Sequence, residues 1–505
     1  MATLNKHILR SIMILSYILI VIGVVFGISK IVSYLNTGAD RSEMLNLNVE
    51  TSDPYTPQVN WNTKPNRGRS VSENKLSEIE KDYLNAWYVK QMAYNTNTKK
   101  AVKDHFTKRA REKINDIINH NKANNVKIES TTLSHNIDLN FFSEDGKIAV
   151  ITDKDMIIHK RYLKNDKLLS KVDERATYKV ILFLEDGFWR IRHMVKLANE
   201  DNTKNIATGQ YADIDINGIN YYPQSNPWET FGSKFSIDTI KKDFKIIRSA
   251  GLNTIRLFVP YKDFGKNKVD DDKLKSLKNT LDVAKRHELK VIVTLFDFYG
   301  DYSTLNWTLT QKHASIIVNK LKEHEALLAW DIKNEPDLDF ETRGKDLVIS
   351  WLSHMIDLIR SIDKKNAITI GWYDPQSSKI LKDQVDLISF HYYKPIDMLD
   401  NTLLKLKEQF PEKPIVMQEY GISSYNGFWD PFGNSEEDQA DYHKKAQQMI
   451  KKHDISYMSW TLYDFNNIPN KVIGWEPWEK QIQKKYGFID KEGNKKPAFR
   501  FISGD

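Results

Sequence analysis

Two glutamates in this chain occupy positions suited to an acid and a nucleophile. Glu335 follows the run Leu-Leu-Ala-Trp-Asp-Ile-Lys-Asn at 327–334, and Glu419 follows Ile-Val-Met-Gln at 415–418. A glutamate taken alone is far more often a solvated charge than a catalyst. At the end of a buried strand the expectation reverses, because parallel strands closed into a barrel bring their carboxyl ends to one mouth. Two carboxylates across a cleft are what cleavage of an acetal requires: one gives a proton to the leaving oxygen, the other attacks or activates water. Other polar and aromatic residues fall at matching places. Arg256 lies within Thr-Ile-Arg-Leu-Phe-Val, Asp297 ends Val-Ile-Val-Thr-Leu-Phe, Asn334 precedes Glu335, His391 and Tyr393 follow Asp-Leu-Ile-Ser-Phe, and Trp460 closes Tyr-Met-Ser-Trp.

Positioning these residues takes a repeated element. Beyond residue 203, short apolar runs begin near Gly218, Thr254, Val291, Leu327, Ala367, Asp386, Ile415 and Tyr457. Amphipathic stripes such as Ile240, Phe244, Ile247 and Leu274, Leu277, Leu281 separate them, with Gly251 placed to stop the first helix. Strands alternating with helices predict a parallel sheet, and eight strands close a (β/α)8 TIM barrel. The step from Ala367 to Asp386 is too short for a full helix.

With these motifs in strand order, the chain resembles the retaining glycoside hydrolases of clan A, most closely family 5, the cellulase and β-mannanase type. The resemblance spans about residues 210–503 and includes the closing stretch Tyr486-Gly-Phe-Ile-Asp-Lys-Glu-Gly-Asn-Lys-Lys-Pro-Ala-Phe. It implies that Glu335 is the acid/base, kept protonated by burial and by the charge of Glu419, and that Glu419 is the nucleophile, with Arg256 favouring its ionised form. It further implies that Tyr393 bonds the nucleophile, Asn334 holds the sugar 2-hydroxyl, His391 orients the acid or a hydroxyl, and Trp460 stacks on the sugar ring. The carboxyl groups are then expected about 5 to 5.5 Å apart, the spacing of retention. One departure stands out: where many family members carry a histidine after the third strand, this chain has Asp297, a sugar contact or a loop cap. Tyr221, Tyr222, Trp228, Trp307, Trp372, Tyr373, Trp429, Trp475 and Trp478 are further candidates for sugar stacking, Trp372 foremost, or for packing loops onto the barrel. The segment 490–494 reads as a hairpin turn, not a calcium loop.

The chain has 505 residues, of which 40% are hydrophobic, and none is cysteine. That excludes disulfide scaffolds, zinc–thiolate sites, iron–sulfur clusters and thiol catalysis. The net charge of +7 is a small excess of 74 basic over 67 acidic residues, with no basic tract to engage nucleic acid. No metal or other cofactor is expected. The uncharged apolar run at 11–29 is long enough to cross a bilayer as a helix, preceded by Lys6 and Arg10 and followed by Lys30, which predicts an uncleaved single-pass anchor with the bulk of the chain outside. The expected organisation is an anchor at 1–36, a polar linker at 37–74, a small α+β domain at 75–202 and the barrel at 203–505. In the α+β domain, Leu76, Ile79, Tyr83, Trp87 and Val89 mark one helix, and Ala101 to Ile117 a second. Four strand segments follow, at 127–142, 148–158, 175–184 and 189–194. The last hairpin, ending in His193 and Met194, resembles the closing strands of the NTF2-like fold, for which a spacer or partner-docking role is the plainer expectation. Together these readings predict a membrane-anchored, extracytoplasmic retaining endo-β-glycanase acting on a β-linked polysaccharide or oligosaccharide, with an envelope or exopolysaccharide-synthesis partner docked through the middle domain. The alternatives are a non-catalytic carbohydrate-binding scaffold of an envelope complex and a transglycosylase.

Overall fold

The computed structural model describes residues 15–17, 21, 55–200, 214–473 and 476–503. The chain divides into two compact units, Met1–Asp53 and Pro54–Asp505. Apart from residues 15–17 and 21, the apolar run at 11–29 lies outside the described residues, and no helix among those described is long and apolar enough to cross a membrane. The expected domain boundary near 203 and Trp475 also lie outside them.

The first part of the larger unit is a five-stranded mixed sheet, β1 (Gln58–Asn62), β2 (Val126–Phe142), β3 (Ile148–Lys164), β4 (Lys167–Glu185) and β5 (Phe188–Glu200), in that spatial order. β2 to β5 form an antiparallel meander, its turns made by residues that tolerate positive φ: Asn165 and Asp166, then Asp186 and Gly187. The helix Glu73–Thr96, capped by Ser72, and the helix Lys108–Ala123 pack on the sheet. They contribute Ile79, Tyr83, Trp87, Ile114 and Ile118 to a core shared with Leu139, Ile151, Val180 and Leu182.

Residues 55–74 correct the expected linker. Tyr55 is buried in that core, and β1 pairs in parallel with β2. The two-residue alternation of Val59 and Trp61, set among Gln58, Asn60 and Asn62, carries the strand inside a polar composition.

All eight expected barrel strands form: β6 (Asn217–Asn220), β7 (Thr254–Pro260), β8 (Lys290–Asp297), β9 (Leu327–Asn334), β10 (Ala367–Gly371), β11 (Ile388–Tyr392), β12 (Ile415–Tyr420) and β13 (Ser456–Ser459). Every pairing is parallel, in the order β10-β9-β8-β7-β6-β13-β12-β11. A parallel bridge between Trp372 and Phe390 closes the ring, joined by the bond from His391 N–H to Trp372 O at 2.7 Å. The short step from β10 to β11 holds only the 3-10 turn Pro375–Lys379. The longer connections fold as helices, three of them opened by a side-chain cap: Ser236 opens Ile237–Ser249, Asp270 opens Asp271–Arg286, and a Ser435/Asp438 capping box opens Glu436–His453.

Where the sheet domain meets the barrel, Trp307 is fully buried between His159 and His354, its ring centre 4.2 Å and 4.9 Å from theirs. Thr56 N–H donates to Thr308 Oγ1 at 3.0 Å, and the Gln311 amide to Leu133 O at 3.3 Å. Trp307 therefore serves this junction, not sugar stacking.

Candidate active site

The site is organised around a buried cation. Arg256, on β7, is fully buried, and a guanidinium in that position must spend its donors on acceptors. Nη2 donates to Asp331 at 2.6 Å and to Asn334 Oδ1 at 2.8 Å, Nε to Thr294 at 3.0 Å, and Nη1 to Asn220 at 3.1 Å and to Glu419. Asp331 is held in turn by Thr294 at 2.7 Å and by Gly371 N–H at 2.9 Å. Residues from β6, β7, β8, β9 and β10 are thus tied into one plane of hydrogen bonds beneath the mouth, which Arg256 links to Glu419 on β12.

Above that plane stand the two glutamates. Glu335 leaves β9 in the left-handed region (φ 50°, ψ 50°), its N–H donating to Gly371 O at 2.7 Å, and Pro336 then starts a 3-10 turn. A non-glycine residue held there carries strain of order 1–3 kcal/mol, which the surrounding contacts must sustain. His391 Nδ1 lies 2.9 Å from Glu335 Oε1 and 3.5 Å from Glu419 Oε2, and the Tyr393 hydroxyl donates to Glu419 Oε2 at 2.9 Å. One oxygen or nitrogen from each of Glu335, His391 and Glu419 lies within 4.8 Å of the others. That donor set has the makeup of a cation site, but its atoms are already engaged with one another, with Tyr393 and with Arg256.

A cavity of about 430 Å³ opens over the pair, lined in part by Asp297, Asn334, Tyr393 and Trp460. Trp460 presents its ring among Tyr222, Trp228 and Phe258, with centroids 6.0–6.3 Å away. Asp297 faces the cavity with Tyr222 OH 3.4 Å from its Oδ2, so it is a lining residue and caps no loop. Burial pushes its carboxyl up to about 7, against the pull of Lys333 and Arg256. Trp372 corrects its expected place: it is 2% exposed and packs in the barrel core near Phe340, while its neighbour Tyr373 lines the cavity. Of the other aromatic candidates, Tyr222 and Trp228 line the cavity, Tyr221 is buried against Phe244, and Trp429 and Trp478 pair with each other away from the described lining.

Comparison with known proteins decides the family: the model for cellulase (glycosyl hydrolase family 5) matches residues 211–466. The chain belongs to glycosyl hydrolase family 5. Among curated relatives, the β-glucuronidase of Chlorocebus aethiops is 23% identical over 269 residues, 48% of this chain and 38% of its own length. Mannan endo-1,4-beta-mannosidase 5 of Arabidopsis thaliana is 26% identical over 173 residues, 27% of this chain and 39% of its own length. The chain thus spans less than two-fifths of these relatives. Among solved structures, GH5_18 from Streptomyces cattleya in complex with GlcNAc is 15% identical, with 57% of this chain and 78% of that one covered and a TM-score of 0.45.

The protonation of this family 5 site departs from expectation. Burial raises the Glu335 carboxyl, but the hydrogen bond and charge of His391, with Arg256 and Lys333, outweigh it and hold Glu335 below the usual glutamate value. Burial favours a neutral His391, yet the charges of Glu419 and Glu335 make it hold its proton more tightly than a free histidine. Glu335 and His391 therefore titrate as one pair. The expectation of a raised Glu335 counted burial and Glu419 but not an imidazolium in contact. Motif reading also left out Asn220, Thr294, Asp331, Gly371 and Gln418. Gly371 sits so close to the floor of the site that a Cβ there would fall 2.6 Å from Gln418 Oε1 and 2.8 Å from Arg256 Nη2. The one sequence signal for Asp331 was a carboxylate inside an otherwise apolar strand.

Proposed function

We propose that this chain is a retaining endo-β-glycanase that cleaves an uncharged β-linked glycan by double displacement, with Glu419 as nucleophile and Glu335 as acid/base. The observation that carries this reading is that one oxygen of Glu335 and one of Glu419 lie within 4.8 Å of each other on one cavity, compatible with the carboxyl spacing of about 5 to 5.5 Å for retention and short of the roughly 6.5 to 9.5 Å that inversion needs. Arg256 and Tyr393 each donate to Glu419 and hold it aimed at the anomeric carbon. A glycan bound in the cavity against Glu335 receives at its leaving oxygen the proton that Glu335 shares with His391, and Glu335 then takes a proton from water to release the sugar from Glu419. Asn334, its Oδ1 fixed by Arg256, presents its NH2 to the sugar 2-hydroxyl, and Trp460 offers a ring face. Half-exposed Phe298 and Tyr373 at the mouth favour a polymer over a short glycoside.

The charge of the lining supports an uncharged sugar, although β-glucuronidases are among the relatives. Among the described residues the cavity is lined by Asp297, Glu335 and Glu419 and by no lysine or arginine. The nearby cations are committed, Arg256 to its acceptors and Lys333 to Asn334 O at 3.0 Å and Asp339 at 3.2 Å. A uronic acid would bring a fourth carboxylate without a partner, a costly burial. Activated 2-deoxy-2-fluoro glycosides test both halves: those of neutral sugars are expected to leave a stable glycosyl adduct on Glu419, read by peptide mass, and the glucuronide none. No adduct from any neutral sugar, or an adduct from the glucuronide alone, would overturn the reading.

A pH profile tests the shared proton. kcat/KM reports the free enzyme, so its alkaline limb is expected above the ordinary histidine value of about 6.5, because the raised pKa of His391 keeps the proton in the dyad until pH passes it. In His391→Gln the limb should move toward acid, since a carboxyl group alone then stores the proton. An unmoved limb assigns the titration elsewhere.

We further propose that the uncharged run at 11–29 tethers the enzyme to a membrane with its barrel on the extracytoplasmic side, as the flanking Lys6, Arg10 and Lys30 favour. The helices-then-meander order of the small domain supports an NTF2-like reading for it.

A further inference from the structure

A second cavity, of about 740 Å³, opens in the small domain between its helices and the sheet, and shares no lining residue with the active site. Its volume lies within the roughly 300–1,000 Å³ of small-molecule sites. The wall is apolar, built from Phe106, Ile114, Ile181 and Phe183, with Ile117 and Phe141 still 41% and 38% exposed toward it. Contiguous apolar surface of this kind marks a place of binding.

Its charge is one-sided. Lys90, Arg109, Lys113 and Arg192 line the cavity, no aspartate or glutamate does, and none of the four is paired with a described carboxylate. Several cations elsewhere in the same domain do have carboxylate partners: Lys127 with Asp166, Lys154 with Asp138, Lys160 and Lys196 with Glu174. Lys90 is the enclosed one. Its ammonium lies 4.4 Å from the Trp87 ring centre and 3.7 Å from the Met194 sulfur, and burial draws its pKa down to about 8. An ammonium set against a ring and a thioether, with no described carboxylate in ion-pair contact and Glu174 acting only at longer range, has part of its hydration uncompensated.

We propose that this cavity binds an amphipathic monoanion, an aliphatic chain ending in a carboxylate, with the chain on the apolar wall and the carboxylate on Lys90. Arg109 and Lys113 are exposed and Arg192 is half-buried, while Lys90 is held against Trp87 and Met194, so one negative charge is placed on Lys90. The site is independent of the catalytic reading, and its test uses no glycoside.

Isothermal calorimetry with dodecanoate, kept below its micelle concentration, tests the proposal on the chain from Pro54 onward, the unit that holds both sheets and every hydrophobic cluster of the described residues. Saturable binding of one dodecanoate is expected, at least about tenfold weaker in Lys90→Met, whose loss is a charge-assisted contact. Ile181→Trp, which fills the cavity, is expected to abolish binding and keeps the test open should Lys90→Met not fold. Dodecyltrimethylammonium, with the same chain and the opposite charge, is expected not to bind. Three results would overturn the proposal: no saturable binding by the parent chain, equal affinity for the cationic amphiphile, or full affinity in both variants.

Discussion

Glu419→Ala is expected to lower glycan turnover by about four orders of magnitude or more, the scale seen when the nucleophile of a catalytic unit is removed. Glu335→Gln is expected to cost on the order of 10² to 10⁴ on a native glycan, the usual worth of general acid–base catalysis. Leaving-group chemistry separates the two roles. A 4-nitrophenolate departs without a proton, so Glu335→Gln should still form the glycosyl intermediate from an aryl glycoside and stall at its hydrolysis, giving a burst of nitrophenolate and then a slow steady state. Glu419→Ala should give no burst. Azide, small enough to fill the space left by a carboxylate, should then return a β-glycosyl azide from Glu335→Ala, after two inversions, and an α-glycosyl azide from Glu419→Ala, after one. Retained turnover in both variants, or the same azide anomer from both, would remove the two glutamates from these roles. Their shared contact with His391, at 2.9 Å and 3.5 Å, makes the costs non-additive, so the double variant should be little worse than Glu419→Ala alone.

Arg256→Met is expected to destabilise the fold by about 3–5 kcal/mol, because it leaves Asp331 and Glu419 as buried carboxylates without their cation. The measurement is urea unfolding, where the midpoint should fall without a change of slope. Arg256→Lys should recover little of the loss. One ammonium cannot meet Asp331, Asn334, Asn220 and Glu419 together, as the planar fork of the guanidinium does. The guanidinium also lies 4.6 Å from the Phe258 ring centre, a contact that methionine keeps only in part. A wild-type midpoint in Arg256→Met would show that Asp331 finds other partners and that the plane beneath the mouth does not depend on this residue. Activity should fall in step with stability, since Glu419 loses the guanidinium contact that positions it.

Several features of this enzyme were legible along the chain because they are local. Eight apolar runs separated by amphipathic helices fix a parallel barrel, since each run is buried on both faces and each helix must cover one. Glu335 and Glu419 stand out because each follows such a run directly, and strand ends converge by geometry. Arg256 was visible as a charge within a strand that otherwise has no use for one. Trp372 was misplaced because the chain turns as it leaves β10, so that Tyr373 and not Trp372 faces the cavity, and composition does not register that turn. β1 was missed because its alternation is short and set among asparagines.

What the tertiary structure alone decided is how groups distant in sequence change one another. The sequence by itself determined which acids, bases and rings the barrel carries and at which end. It could not determine that His391 contacts Glu335 and draws its carboxyl below the usual value, because that rests on a 2.9 Å approach between residues 56 positions apart. Nor could it show that Asn220, Thr294, Asp331 and Gly371 join Arg256 in one network, or that four unpaired cations gather around a single apolar cavity in the small domain. Composition records each charge, but the energy of a charge depends on its neighbours and on how far water is excluded, and both are set only when the strands close.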